Sequence, residues 1–359
     1  MDQTVPLQKL QQILDESTNS GEECGLQLAI YVGGRLEANL FSGYADEKRT
    51  RKVTTDTLFP IYSSGKGIMA TAFHMLMQEF GASYDDKVSQ YWKTFTGSGK
   101  EEIEIWQILS HRTGLHMLPN VPDTSKQLAD WDFMVKKMES AVPKFQPGTK
   151  CGYQGITFAW LLGELAFRIS GIPFKEYIQT RILKPLGLEK SFYFGLTDEA
   201  EKIAAEIDRT DYRGKPDWTS GFINQSEIRR GFIPSGNGFA TARAVATIYN
   251  AIVHGSGATP PLLSPGRLEQ ATILHRQADD PIIPDVTWDK FGLGYAMPKW
   301  ETVQDDIFGH GGAAGAEAFF CKSRDMALCF VKNRTLLSHP LHPVRDRISD
   351  ALNLPHRIW

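Results

Sequence analysis

Apolar residues recur along this chain with two different periods, and the switch between them lays out its plan. Leu7, Leu10, Ile13 and Leu14 fall on one face of an amphipathic opening helix. Gly25 to Val32 then reads as a strand, Gly33-Gly34 as a tight turn, and Arg35 to Tyr44 as the returning strand of a hairpin. Beyond Leu58-Phe-Pro-Ile-Tyr62 the period becomes helical: Ile68, Ala72, Met75 and Leu76 share a face, and Gly81 is the stop. Ile103 to Leu109 is a short helical pattern closed by Ser110-His-Arg-Thr-Gly114. Phe158, Leu161, Leu162, Leu165 and Ile169 mark a buried helix face ended by Gly171. Thr241 is placed to cap a helix carrying Ala242, Val245, Ala246, Tyr249 and Ile252. Near the end, Phe308 to Phe320 and Met326 to Lys332 read as two strands, followed by a last helix over about 342–352.

Strands at both ends with helices between them predict an α/β (α+β) chain whose ends pair into one antiparallel sheet, the middle being inserted as a helical lobe. The expected division is a discontinuous sheet domain, 1–62 and 240–359, and a mostly helical domain, 63–239, with the site in the cleft between them.

Composition narrows the class. The chain has 359 residues, 42% hydrophobic and 23% charged, the balance of a globular enzyme with an ample core. A net charge of −3 gives no electrostatic reason to expect nucleic acid or an anionic membrane as partner. The first ten residues lack a basic region followed by an apolar one, and no apolar run reaches a membrane span, so a cytoplasmic protein is expected. Cys24, Cys151, Cys321 and Cys329 are scattered, which fits reduced thiols better than disulfides or a zinc site. No HExxH or comparable metal spacing occurs, so neither metal nor cofactor is expected, and no GxSxG points to an α/β-hydrolase.

The chemistry concentrates in Ile61-Tyr-Ser-Ser-Gly-Lys-Gly-Ile68. Residues three apart on a helix share a face, so the Ser63 hydroxyl and the Lys66 amine can meet. A serine hydroxyl is a poor nucleophile until its proton is removed, and an amine with a lowered pKa can remove it. Backbone N–H groups free at a helix start can also stabilise an oxyanion. The plain alternative is chance, because SxxK is a loose pattern. Tyr153, in Gly152-Tyr-Gln-Gly-Ile-Thr157, stands just before a buried helix, where a loop delivers a side chain; most tyrosines are simply packing residues. The glycines of Phe308-Gly-His-Gly-Gly-Ala-Ala-Gly315 lie inside an apparent strand, marking either a bulge or the close approach of a ligand or backbone. His111 reads as a cap or packing residue, Asp85-Asp86 as a turn, and Gly97-Ser-Gly-Lys100 as a loop, since Thr94 and Glu101 break the phosphate-loop pattern.

In this order the motifs resemble those of the serine β-lactamase and penicillin-binding-protein superfamily, and within it the family VIII carboxylesterases, relatives of class C β-lactamases. Ser63-Ser-Gly-Lys66 matches SxxK, Tyr153 the tyrosine of YxN, and His310-Gly-Gly312 the K/H/W-x-G strand motif. Leu109 to Leu115, Lys184 to Leu188 and Pro234 to Arg243 are similar to supporting stretches of the family. The resemblance implies a β-lactamase/DD-peptidase-like fold. It implies that Ser63 attacks a carbonyl with Lys66 and Tyr153 as the proton-transfer pair, and that the N–H groups of Ser63 and Ala313 form the oxyanion hole. His310, Gly311, Gly312 and Gly155 would line the substrate.

Two departures narrow the substrate. Gly155 stands where the family's β-lactamases carry an asparagine that binds the drug's side chain. His310 replaces the lysine that attracts the drug's carboxylate, and a histidine is largely neutral at pH 7. The reading is therefore a serine hydrolase of short, neutral carboxylic esters, with a small-molecule ester as its partner. Acyl transfer on the same fold and weak β-lactam or D-amino-peptide hydrolysis are alternatives. A non-catalytic scaffold is the reading from a different class, disfavoured because a scaffold has no physical need for Ser63, Lys66 and Tyr153 together.

Overall fold

The first two strands form the predicted hairpin. The structure, a computed structural model, describes residues 5–117, 124–208, 223–273, 291–297, 307–334 and 343–354. β1 (Gly25–Val32) pairs antiparallel with β2 (Arg35–Gly43) through Gly33-Gly34, both at positive φ, where glycine carries no steric penalty. β3 (Phe59–Pro60), β4 (Phe192–Phe194) and β5 (Gly238–Ala240) make a small sheet in the order β3-β5-β4. β6 (Ile307–Gly311), β7 (Glu317–Cys321) and β8 (Met326–Lys332) complete the main sheet, ordered β2-β1-β8-β7-β6 and antiparallel throughout. Both ends of the chain thus build one sheet, joined where Leu26 faces Lys332 and Val32 faces Met326.

The main sheet is covered on both faces, which is why most of β1 is buried rather than alternating. Leu26, Leu28 and Ile30 point into a core closed by Leu10, Ile13 and Leu14 of the opening helix (Leu7–Asn19) and by Val344 and Ile348 of the last helix (Pro343–Ala351). The opposite face packs under the helix Ala242–His254, which Thr241 caps by accepting from Ala244 N–H as its sequence predicts. That face is continuous with the helical core, where Phe73 and Leu76 of the helix Gly65–Phe80 meet Phe158, Leu161 and Leu165 of the helix Phe158–Ser170. Both helices stop at glycines with left-handed φ, Gly81 and Gly171. Among the described residues no helix is long and apolar enough to cross a membrane, and all four cysteines are free thiols.

Two expectations change. Leu7 is 44% exposed, because the helix buries only Leu10, Ile13 and Leu14 of the predicted stripe. The run Phe308 to Phe320 is two strands, since Ala314 and Gly315 adopt φ +66° and +91° and turn the chain between β6 and β7. Gly312 and Gly315 belong to that reversal, while Gly309 and Gly311 lie within β6, where a Cβ on Gly309 would overlap Ala318 O. Within the mostly helical middle, β4 and β5 join β3 in a sheet whose strands, at two or three residues, are too short to show a period.

Candidate active site

The small sheet and the edge of the main sheet converge on Ser63. β3 pairs with β5, and Ile61 N–H continues the pairing by donating to Gly238 O at 2.8 Å. This draws residues 61–66 alongside the Pro234–Asn237 turn. Tyr62 takes φ +47°, an uncommon conformation for a residue with a Cβ, and opens a 3₁₀ turn, Tyr62–Ser64, that feeds directly into the helix Gly65–Phe80. Ser63 is left part-exposed on that turn while its neighbours are buried. Gly65 and Gly67 permit the close packing. A methyl group at Gly65 would overlap Pro234 O, and one at Gly67 the Tyr249 hydroxyl.

Lys66 is fully buried, with its Nζ 3.0 Å from Ser63 Oγ and donating to Ser235 O at 2.7 Å. Burial alone drives its pKa well below the ordinary lysine value, which favours the neutral, proton-accepting form of the amine beside the hydroxyl. The Tyr153 phenol lies beside the Ser63 side chain, and its ring centre lies 5.0 Å from Lys66 Nζ. Burial raises the phenol's pKa, so Tyr153 rests protonated. A neutral amine and a neutral phenol flanking one hydroxyl can pass its proton between them. Of the predicted catalytic residues, all three are brought together.

The strand motif arrives on β6. His310 is fully buried and its Nδ1–H donates to Gly311 O at 2.6 Å, which fixes the proton on Nδ1. Burial and the neighbouring Lys66 lower its pKa to about 3, so the ring is neutral at pH 7. Its ring lies 6.1 Å from that of Tyr153. Gly311 ends β6 opposite Glu317. Gly312 lies against the chain entering the nucleophile turn: a Cβ there would crowd Ile61 O and sit 3.2 Å from Tyr62 Cβ. Gly312 N–H donates to Ala316 O at 2.7 Å, and the Ala313 amide follows at the start of the turn. Gly155 donates to Tyr153 O at 2.9 Å, and a Cβ on it would meet only the Tyr153 ring, at 3.6 Å, so a side chain would fit there.

The sequence reading missed three neighbours. Ser235 supplies the carbonyl that anchors Lys66. Phe291 stacks on Tyr153, with 5.9 Å between ring centres and 14° between planes. His111, read from the sequence as a cap or packing residue, places its ring 5.0 Å from that of Tyr153. The only signal was that Ser235 and His111 fall in stretches similar to the family's. Among the described residues no group of three or more His, Cys, Asp or Glu could hold a metal ion.

Buried neutral histidines carry a stability signature. His74 and His310 have pKa values lowered to about 3, and His111 is also pushed well down, burial being the largest cause in each. Below the ordinary histidine value of 6.5 the unfolded chain takes up protons that the folded chain refuses. Their contribution is therefore complete above pH 6.5 and lost progressively as pH falls towards 3, by ~1.4 kcal/mol per pH unit for each such group. Glu23, whose pKa burial raises, works in the opposite sense and is outweighed by these histidines. The urea midpoint is expected to be clearly lower at pH 5 than at pH 7.5. Equal midpoints would contradict the buried neutral state.

The Beta-lactamase family model matches residues 10–352, and the chain belongs to that family, a family of serine hydrolases. It is 27% identical over 340 residues to the esterase/beta-lactamase LipL of Mycobacterium tuberculosis, covering 87% of this chain and 77% of that one. Its fold is similar to the crystal structure of a family VIII carboxylesterase, with TM-score 0.86 and 25% identity over 97% of this chain and 96% of the other. A penicillin-binding-protein homologue from Caulobacter crescentus is also similar, with TM-score 0.83 and 25% identity over 98% and 97% of the two chains.

Proposed function

We propose that the chain hydrolyses small, neutral carboxylic esters through an acyl-enzyme on Ser63. The observation that carries the chemistry is a buried amine 3.0 Å from a serine hydroxyl that the Tyr153 phenol also adjoins. Ser63 Oγ attacks the ester carbonyl carbon while its proton passes to Lys66 Nζ, which is free to accept because it is neutral. The carbonyl oxygen takes up the negative charge opposite the N–H groups of Ser63 and Ala313. Collapse breaks the bond to the alkoxy oxygen, and Tyr153, protonated at rest, delivers the proton that lets the alcohol leave while Lys66 restores it. Water then repeats the cycle on the acyl-enzyme, with the proton flow reversed.

His310 and Gly155 support the substrate class. A substrate carboxylate gains little from a ring that stays neutral above about pH 3 and whose Nδ1–H is already committed to Gly311 O. The open space at Gly155 lacks the amide that would grip a β-lactam side chain. A neutral ester needs neither. The chain resembles a carboxylesterase and an esterase/β-lactamase in sequence and fold, which favours the same reading.

The test compares p-nitrophenyl acetate and butyrate with nitrocefin. Turnover of the esters with little or none of the cephalosporin is expected. Efficient nitrocefin hydrolysis with poor ester hydrolysis by the wild type would overturn the ester reading and restore a β-lactamase.

A further inference from the structure

Tyr153 sits in a loop, yet it must hold its hydroxyl on Ser63, so something outside the loop has to fix it. The structure shows where that grip lies. The helix Ile105–Leu109 ends in a turn at which His111 adopts φ +61°, a left-handed conformation uncommon for residues with a Cβ and several-fold enriched in Asn, Asp and His. From that turn His111 reaches Tyr153's two chain neighbours. Its carbonyl accepts Gly152 N–H at 2.8 Å, and its Nδ1 accepts Gln154 N–H at 3.2 Å. The Gln154 side chain reinforces the second point, donating from Nε2 to Ile108 O at 3.0 Å and accepting from the Thr113 hydroxyl at 2.5 Å.

We propose that His111 is a positioning residue for the hydrolysis, clasping the backbone on both sides of Tyr153 so that the phenol stays on Ser63. This rests on the function proposed above and adds a residue to it. The Nδ1 acceptor assigns the ring proton to Nε2 and requires a neutral imidazole, because a proton on Nδ1 would break the bond to Gln154. Burial, the largest influence on its pKa, keeps the ring neutral. Phe158 and Phe291 pack the ring at 5.1 and 4.4 Å between centres, which leaves it one orientation. An apolar residue could fill the same space but would leave the buried Gln154 N–H without its acceptor.

The clasp separates two amide variants. Asparagine tolerates the left-handed backbone and carries Oδ1 on Cγ, where Nδ1 is attached; glutamine carries its amide one carbon further out. His111→Gln is expected to lower kcat about 10²-fold, the cost of displacing a reacting group by about an ångström, with KM nearly unchanged. His111→Asn should stay within a few-fold of wild type. In a Tyr153→Phe background His111→Gln should add almost nothing, because both changes remove the same contribution. The rate at which a fluorophosphonate labels Ser63 should follow the same order. Labelling needs no ester substrate, so it reads the clasp even if ester turnover fails. Three results would overturn the clasp: equal losses for Asn and Gln, a full further loss in the Tyr153→Phe background, or wild-type kcat and labelling in His111→Gln. Should the Gln protein not fold, His111→Asn decides alone. With an unchanged thermal midpoint but activity as low as Tyr153→Phe, it rules the clasp out; with near-wild-type activity it upholds it.

Discussion

Ser63→Ala is expected to lower kcat/KM for p-nitrophenyl acetate by about 10³-fold or more while leaving the thermal midpoint within a few degrees of wild type. The change removes only the hydroxyl that Lys66 and Tyr153 serve, and the part-exposed turn leaves room for the loss. The 3₁₀ turn is set by backbone bonds such as Ser64 N–H to Ile61 O at 3.0 Å, which a methyl side chain does not disturb. Fluorophosphonate labelling should vanish in the same variant. Activity close to wild type in a folded Ser63→Ala protein would remove this residue from the chemistry.

Lys66→Met should cost about 10²–10⁴-fold in kcat, the range for loss of a general base, with a smaller effect on KM. Methionine fills most of the buried channel but cannot accept the Ser63 proton. Stability should hold or rise, because the folded wild type keeps this amine neutral at a pH where the unfolded chain would protonate it. The same linkage fixes the pH profile. Protonated Lys66 is inactive as a base, so kcat/KM should climb through the lysine's depressed pKa and flatten above it, with activity already present at neutral pH. The Met variant should lose this acid limb along with its rate. A profile that keeps the limb in Lys66→Met would assign it to another group.

What could be read from the sequence depended on how local the physics was. Ser63 and Lys66 meet because one helical turn separates them, so spacing alone forecast a contact found at 3.0 Å. The hairpin, the glycine stops at Gly81 and Gly171 and the cap at Thr241 were legible for the same reason. Sheet pairing between the two chain ends followed from the order of elements. The rest is set by distant packing. Ser235 reaches Lys66 across 169 positions, and nothing in its own segment advertises a carbonyl aimed at an amine. His111 looked like a helix end because it is one; its hold on Tyr153 exists only once residues 152–154 fold back onto it. The neutrality of His310 was foreseen from the ordinary histidine pKa, but its depth comes from burial beside Lys66, which spacing cannot show. Glycines 309, 311 and 312 suggested close approach, and at Gly312 the approaching partner is the chain that carries Ser63.

The central claim is a covalent one, and peptide mapping by mass spectrometry tests it directly. After brief incubation with a slowly released p-nitrophenyl ester and acid quench, the peptide containing Ile61 to Ile68 should gain the mass of the acyl group, localised to Ser63 by fragmentation. The adduct should be absent from Ser63→Ala and should disappear from the wild type at the rate of turnover. Acylation at another residue, or ester hydrolysis with no acyl adduct under conditions in which deacylation limits the rate, would contradict the account.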